Sequence, residues 1–456
     1  MGEFILKNIS IKHHDKSIIN VCFYKEDNVV HDRGSVFSSL VLGINGSGKS
    51  FLLKIIAEVF IYLEKAKAYK RKPKFRYEQF DIEYRIDDCN YRIERISGAN
   101  ISCYCDGTLV NLEQVIIPAK VLAVSFLVSD KFLFSNSKND PANDKSIMPL
   151  NSYTYLGVRK TTNATFTRSI AHNVMRNIIE IASDKRYDKL FEILSFLKYD
   201  ASIALKFRIN SLKDFERELL LGKFYDTIML SKQQLEFHIF LVQNKHKILE
   251  MLDNKIISIS EFYFFKNNEK IPFDDCSSGE KHLLFSLSGI LCNIKPTSLV
   301  LIDEPEISLH PEWQTQYIGF IKNLFSSYCS CHFIIASHSH YLVSDLEPKS
   351  SSLIFLKRSE DDLSPIAEIL PFSTYTWSAE NVIYNIFGVR TTRNYYFESE
   401  LRKLIQMINE DDASKNIDEI NRLIMKIDKL IYDTDDPLNL IIKQAKEFCD
   451  VYKEIE

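Results

Sequence analysis

Residues 38–53 read SSLVLGINGSGKSFLL, and this stretch fixes the architecture. An apolar run enters a glycine-rich turn and an amphipathic run leaves it. Gly43, Gly48, Lys49 and Ser50 have the G-x-x-x-x-G-K-S spacing of a phosphate-binding loop. Glycines let the backbone wrap phosphates, so amides from about Gly46 to Ser50 turn inward. The following helix N-terminus adds a favourable dipole. The candidate binding set is Gly43, Asn45, Gly46, Ser47, Gly48, Lys49 and Ser50. Within it, Lys49 is expected to reach the β and γ phosphates and Ser50 to bind Mg²⁺. A strand–loop–helix unit of this kind predicts an α/β fold.

Two later stretches complete the expected site. SLVLIDEPE, residues 298–306, describes a buried strand that delivers Asp303 and Glu304 at its C-terminal tip. Ligands of α/β sheets bind at such tips. Asp303 fits the holder of Mg²⁺. Glu304, one residue on and expected to point elsewhere, suits orienting or deprotonating an attacking water. HFIIASHSHYL, residues 332–342, is a second apolar strand ending in Ser337 and His338. A neutral His338 there can hydrogen-bond a terminal phosphate or the water attacking it. His340, two residues further, would face away if the strand continued.

A third stretch, DDCSSGEKHLLFSL at residues 274–287, has no catalytic side chain of its own. Ser277 followed by Glu280 reads simply as a helix N-cap. Ser278 and the Gly279 amide at that helix start also offer donors and positive dipole to a phosphate. In the order phosphate loop, Ser-Ser-Gly-Glu, Asp-Glu, His, the stretch resembles the signature motif of the ABC ATPase superfamily. That resemblance implies a mixed-sheet ATPase head with an antiparallel subdomain, binding ATP and Mg²⁺. It also implies a homodimer, in which Ser277, Ser278 and Gly279 of one copy cap the nucleotide of another. PEISLHPEWQ, residues 305–314, follows where a loop crosses between subunits, with Ser308 and His310 as candidates. The form resembles soluble RecF- and OLD-like heads more than transporter heads. Departures are Ser278 in place of the usual first glycine and Glu280 in place of glutamine. No glutamine occupies the expected sensing loop; Ser125 or Asp130 stands there instead.

Around these motifs the chain is expected to divide into four parts. Residues 1–130 form a strand-rich lobe with the phosphate loop, and residues 131–256 a helical insertion. Residues 257–372 form the lobe with signature, acidic pair and histidine, and residues 373–456 a helical region for partners or oligomerisation. No internal repeat or sustained heptad is present. The 456 residues suffice for two or three domains. A net charge of -4 gives no global reason to bind nucleic acid or an anionic membrane. The most apolar helical stretch, residues 51–67, is interrupted by Lys54 and Glu58 and is too broken to span a bilayer. The start of the chain lacks a signal-peptide pattern, so the expected compartment is the cytoplasm. Nine scattered cysteines without a C-x-x-C pair read as reduced and structural.

Three further pieces, VLAVSFLVSDKF (121–132), YTYLGVRK (153–160) and the region 375–405, resemble the PtuA family of ATPase subunits from bacterial Septu anti-phage systems. This implies an oligomeric ATPase that carries a separately encoded HNH nuclease of the PtuB type. Rival readings are a PARIS-like defence ATPase controlling a TOPRIM nuclease, and a RecF-like repair ATPase that binds DNA itself. The acids Asp411, Asp412, Asp433, Asp435 and Asp436 sit in charged, turn-rich sequence and read as a solvated face. KAKAYKRKPKFRY, residues 65–77, carries seven basic residues with Tyr69, Phe75 and Tyr77 interleaved. It is a candidate for phosphate contact and base stacking, against the plainer reading of a solvated helix end.

Overall fold

The helix leaving the phosphate loop, α1 (Lys49–Ala68), buries side chains around most of its circumference, from Leu52, Leu53 and Ile56 to Phe60 and Leu63. A helix apolar on nearly every side has to be enclosed. Two sheets enclose it. A computed structural model describes the chain apart from residues 1–2, 15, 26–33, 69–72, 98–99, 127–130, 134–150, 158–162, 183–185, 211–227, 232–234, 308, 344–345, 359–364, 371–373, 375–376, 378, 389–393, 410–415, 431–437 and 454–456.

In chain order the strands are β1 (Phe4–His13), β2 (Lys16–Cys22), β3 (Phe37–Leu42), β4 (Gln79–Ile86), β5 (Cys89–Ile96), β6 (Ser102–Cys105), β7 (Thr108–Val110) and β8 (Val121–Ser125). They continue with β9 (Tyr153–Gly157), β10 (Ser202–Ile209), β11 (Ile228–Ser231), β12 (Ile257–Lys266) and β13 (Glu269–Pro272). The last four are β14 (Leu299–Asp303), β15 (His332–Ser337), β16 (Ser351–Arg358) and β17 (Pro365–Ile369). An antiparallel sheet runs β2-β1-β4-β5-β6-β7. A second sheet runs β17-β16-β3-β15-β14-β8-β9, with every pair parallel except β16 with β17. A third, β11-β10-β12-β13, is antiparallel throughout.

Between the first two sheets lies one apolar core, with Phe4, Phe60, Phe80 and Tyr84 among its large members. His332 ties the layers together. Its Nδ1 accepts from Leu6 N of β1 at 3.1 Å, so the ring proton sits on Nε2 and is donated to Ser39 Oγ of β3 at 2.8 Å. This fully buried histidine is a satisfied core residue, with both ring nitrogens spent on structure.

Parallel register sets the site. Leu42 pairs with Ser337, Ala336 with Asp303, and Asp303 with Ser125. The C-terminal tips of β3, β15, β14 and β8 therefore end level, on the edge where α/β sheets bind ligands.

The segment 131–256 differs from the helical insertion expected. Helices α2 (Asn163–Ile181), α3 (Tyr187–Phe196) and α4 (Leu235–Asp253) lie in it, but so do β9, β10 and β11. β9 continues the parallel sheet beside β8, and β10 pairs with β12 of the following lobe. Both strands take their burial from neighbours remote in sequence, so local periodicity favoured the helices. Two more helices complete the head: α5 (Ser278–Asn293) and α6 (Pro311–Leu324).

The chain forms two compact units, Met1–Val382 and Ile383–Glu456, so the boundary falls about ten residues beyond the expected 373. The second unit contains α7 (Tyr395–Asn409), α8 (Ile417–Asp428) and α9 (Leu438–Lys453). They pack around Leu404, Ile420, Ile424, Ile427 and Ile442. Asp411, Asp412, Asp433, Asp435 and Asp436 lie outside the described residues. All nine cysteines are free thiols. Among the described residues, no helix is long and apolar enough to cross a membrane.

Candidate active site

The phosphate loop leaves β3 at Leu42 and is closed over by β16. A methyl group on Gly43 would meet the Leu356 carbonyl oxygen at 2.3 Å and Ser47 Oγ at 2.6 Å, so only glycine fits there. Gly46 (φ +80°) and Gly48 (φ +105°) adopt the left-handed backbone that bends the loop around its interior. Lys49 is buried, and its Nζ donates to Gly43 O at 2.8 Å and Ile44 O at 3.3 Å. Ser47 Oγ is buried without a hydrogen-bond partner. The loop's interior thus presents an ammonium and a spare hydroxyl to an anion. Asn45, Gly46, Ser47, Gly48, Lys49 and Ser50 line a cleft of about 780 Å³ together with Glu304.

Both carboxylates of the acidic pair meet the phosphate loop: Glu304 lines the cleft, and the fully buried Asp303 lies behind Ser50. Ser50 Oγ donates to Asp303 Oδ1 at 3.0 Å, and Glu304 Oε1 lies 3.7 Å from Lys49 Nζ. Adjacent residues of a regular strand would face opposite ways. Glu304 escapes that rule because its backbone is left-handed (φ 52°) just beyond the end of β14. Its amide is anchored on Ala336 O at 2.9 Å. The left-handed region disfavours a non-glycine residue by ~1 kcal/mol or more, a cost that concentrates at functional sites. Burial first, and then the neighbouring charge of Glu306, push the Glu304 carboxyl up to about 7.

His338 stands beside Glu304, its Nδ1 hydrogen-bonded to Glu304 Oε2. Glu306, which the sequence reading passed over, lies beneath both. Its Oε1 accepts from Ser337 Oγ at 2.5 Å and from His338 N at 2.8 Å, and it lies 3.2 Å from His338 Nδ1. Two further residues were also missed. Arg358, at the end of β16, donates Nε to Gly46 O at 2.8 Å and lines the cleft, as does Lys131. In sequence Arg358 is 312 positions from Gly46, with no local pattern to mark it.

The donor set fits Mg²⁺ with a nucleotide triphosphate. A hydroxyl oxygen and a carboxylate oxygen are brought together at the mouth of the loop, and hard divalent cations take oxygen ligands. Ser125 lies level with Asp303 on the adjacent strand, while its alternative, Asp130, is outside the described residues. His340 begins a short 3₁₀ turn after β15, so no strand carries it onward. His310 caps α6, its Nδ1 accepting from Glu312 N at 3.3 Å; Ser308 is outside the described residues.

The signature stretch lies apart from its own phosphate loop: among the described residues lining the cleft, none comes from 274–287. The plain capped helix is physically present. Ser277 Oγ accepts from Glu280 N at 3.2 Å, and Ser277 N donates to Glu280 Oε2 at 2.7 Å, a closed capping box. Ser277's hydroxyl is therefore used inside α5, while Ser278, also exposed, lies outside the capping box.

For residues 65–77 the structure corrects one expectation. Tyr77 is buried, so its ring is not open for base stacking, and the half-buried Phe75 packs on the core with Tyr62 and Phe80. Lys67 Nζ is tied to Val115 O at 2.5 Å. Tyr69, Lys70, Arg71 and Lys72 lie outside the described residues.

A family model described as "AAA domain, putative AbiEii toxin, Type IV TA system" matches residues 156–344, which include the signature, Asp303, Glu304 and His338. "Septu protein PtuA" of Bacillus thuringiensis is 23% identical over 198 residues, covering 40% of this chain and 48% of that protein. The chain thus spans about half the length of PtuA. "Retron Vc95 probable ATPase" of Vibrio cholerae serotype O1 biovar El Tor is 20% identical over 401 residues, 77% of this chain and 76% of the relative. Among solved structures, an SMC head domain from Thermotoga maritima aligns with a TM-score of 0.38 at 11% identity, over 81% of this chain and 99% of that one. RecF, in a structure of the recombination mediator protein, aligns with a TM-score of 0.32 at 13% identity, over 78% and 96%. Over the parts that align, the chain is similar to PtuA and to the retron ATPase.

Proposed function

We propose that this chain is an ABC-type ATPase, related to PtuA, which binds ATP with Mg²⁺ and hydrolyses it between two copies that meet head to head. One observation carries the reading: Ser50 with Asp303, and Lys49 with Glu304 and His338, are brought together at the tips of three strands, β3, β14 and β15. Lys49 and the loop amides hold the β and γ phosphates in place. Ser50 and Asp303 would hold Mg²⁺, which would supply charge neutralisation at the phosphates. Glu304 takes the proton of the attacking water, and its raised carboxyl is suited to a base near neutral pH.

In this reading the second copy supplies Ser278 and the Gly279 amide. The exposure of Ser278 at the start of α5, and its absence from the lining of its own cleft, support that assignment; Gly279 beside it is buried. A helix N-terminus with a free hydroxyl meets the γ-phosphate of the opposite head. The PtuA and retron relatives support a role in anti-phage defence. The Septu-like reading adds a higher homo-oligomer, a region 373–456 that holds partners, and a separately encoded HNH nuclease of the PtuB type, licensed by the nucleotide state.

Glu304→Gln keeps a hydrogen-bonding side chain and removes the base. It is expected to trap ATP-bound dimers, seen as a doubled mass by light scattering, with turnover reduced ~100-fold or more. Unchanged mass and turnover would defeat the proposal. Co-purification with an HNH protein encoded next to this chain tests the partner. A neighbouring TOPRIM nuclease would instead support the PARIS-like alternative.

A further inference from the structure

Glu306 is a carboxylate with no assigned work in the most crowded polar corner of the head. Its side chain is only 4% exposed and its Oε2 is buried without a hydrogen-bond partner. A buried carboxylate is costly unless its charge is compensated. Glu306 Oε1 lies 3.2 Å from His338 Nδ1. Its other contacts, from Ser337 Oγ and His338 N, fix the carboxylate and the backbone at the end of β15.

From this geometry we infer that Glu306 is a positioning residue, which holds the His338 ring with Nδ1–H inward and leaves Nε2 facing outward. The inference rests on the ATPase reading above and extends it. Nδ1 lies between two carboxylates, Glu304 Oε2 and Glu306 Oε1. Facing Glu304 alone, a bare Nδ1 accepting from a protonated carboxyl would be an equally good hydrogen bond. Glu306 breaks the tie, because a bare Nδ1 would set its lone pair 3.2 Å from a second acceptor. The proton belongs on Nδ1. Nε2 is then the ring atom available to a terminal phosphate or to the water beside it. Glu306 touches neither, and it acts only through the ring.

The test separates hydrogen bonding from packing. Glu306→Leu keeps an apolar side chain of similar size and removes the acceptor, whereas Glu306→Gln keeps Oε1. In ¹⁵N spectra of histidine-labelled full-length protein, the wild type and Glu306→Gln are expected to show His338 protonated on Nδ1. Glu306→Leu is expected to show a mixture shifted toward Nε2–H. Its kcat should fall ~10-fold or more, with affinity for a fluorescent ATP analogue within about twofold of wild type, while Glu306→Gln restores most of kcat. An unchanged tautomer and kcat in Glu306→Leu would overturn the inference. So would parallel loss of ATP affinity and kcat, which marks a purely structural role. If Glu306→Leu fails to fold, Glu306→Gln decides alone: loss of Nδ1–H there refutes the hydrogen-bond mechanism. The spectra need no turnover, so a wild-type chain that does not hydrolyse ATP would defeat the ATPase reading and leave this one separately decided.

Discussion

Lys49 Nζ and Glu304 Oε1 face each other at 3.7 Å, both side chains almost wholly buried, although 255 positions separate them in the chain. The phosphate-side cation and the base of the proposed reaction thus contact each other. In that reaction bound phosphate would compete with Glu304 for the ammonium and free the base.

The carboxyl of Glu304 sets a pH dependence. Turnover needs it ionised, so the rate should rise as pH climbs through about 7 and level off above. Stability runs the other way. The folded-state value lies above the ordinary 4.5, so this contribution is fully present below 4.5 and is lost as pH rises through about 7. Rate profiles from pH 5.5 to 9 and melting curves over the same range check both signs. A pH-independent rate in wild type would exclude Glu304 as the base.

Metal dependence should follow Ser50 and Asp303. Removing divalent cations with a chelator is expected to abolish turnover, and added Mg²⁺ to restore it. Ser50→Ala should raise the Mg²⁺ needed for half-maximal rate by ~10-fold or more. An unchanged Mg²⁺ requirement would separate Ser50 from the ion.

If Ser278 serves the opposite head, two inactive variants should repair each other. Lys49→Ala lacks a working phosphate loop, and Ser278→Glu lacks a working signature. Mixed heterodimers contain one site with both parts intact, so a one-to-one mixture should recover about a quarter of wild-type turnover. No recovery, with both variants folded and mixing shown by mass, would mean that Ser278 acts within its own chain or not at all.

The neighbouring hydroxyl should behave differently. Ser277 is spent on the capping box, so Ser277→Ala should lower stability by ~1 kcal/mol. Ser278→Ala, exposed and outside the box, should leave the melting temperature in place while reducing turnover. Equal thermal effects of the two changes would contradict the division of labour drawn from α5.

Much of this site was legible because its parts are local. Gly43 to Ser50, Asp303 with Glu304, and Ser337 with His338 each occupy a few residues at the end of an apolar run. Register in the parallel sheet then brings them level. What stayed hidden was long-range or conformational. Arg358 reaches Gly46 only because β16 lies beside β3, and Glu306 looks like a loop acid until Ser337 and His338 close on it. The shared orientation of Asp303 and Glu304 depends on one left-handed residue, which strand alternation argues against. Phe75 and Tyr77 misled for the opposite reason. An aromatic among lysines looks available for stacking, but α1 and β4 had already claimed both rings.

β10, from the segment inserted into the head, pairs with β12, and the β12–β13 hairpin runs through a single 3₁₀ turn into Ser277. Tyr199 OH, on the turn before β10, donates to Cys276 Sγ at 3.4 Å and fastens the same joint. Strand pairing and this hydrogen bond thereby join β10 of the insertion to the start of α5. If two heads close on ATP as proposed, a ligand gripping one subunit's insertion would change the hydrolysis clock of its twin. Such a machine takes its instructions on one body and carries them out on the other.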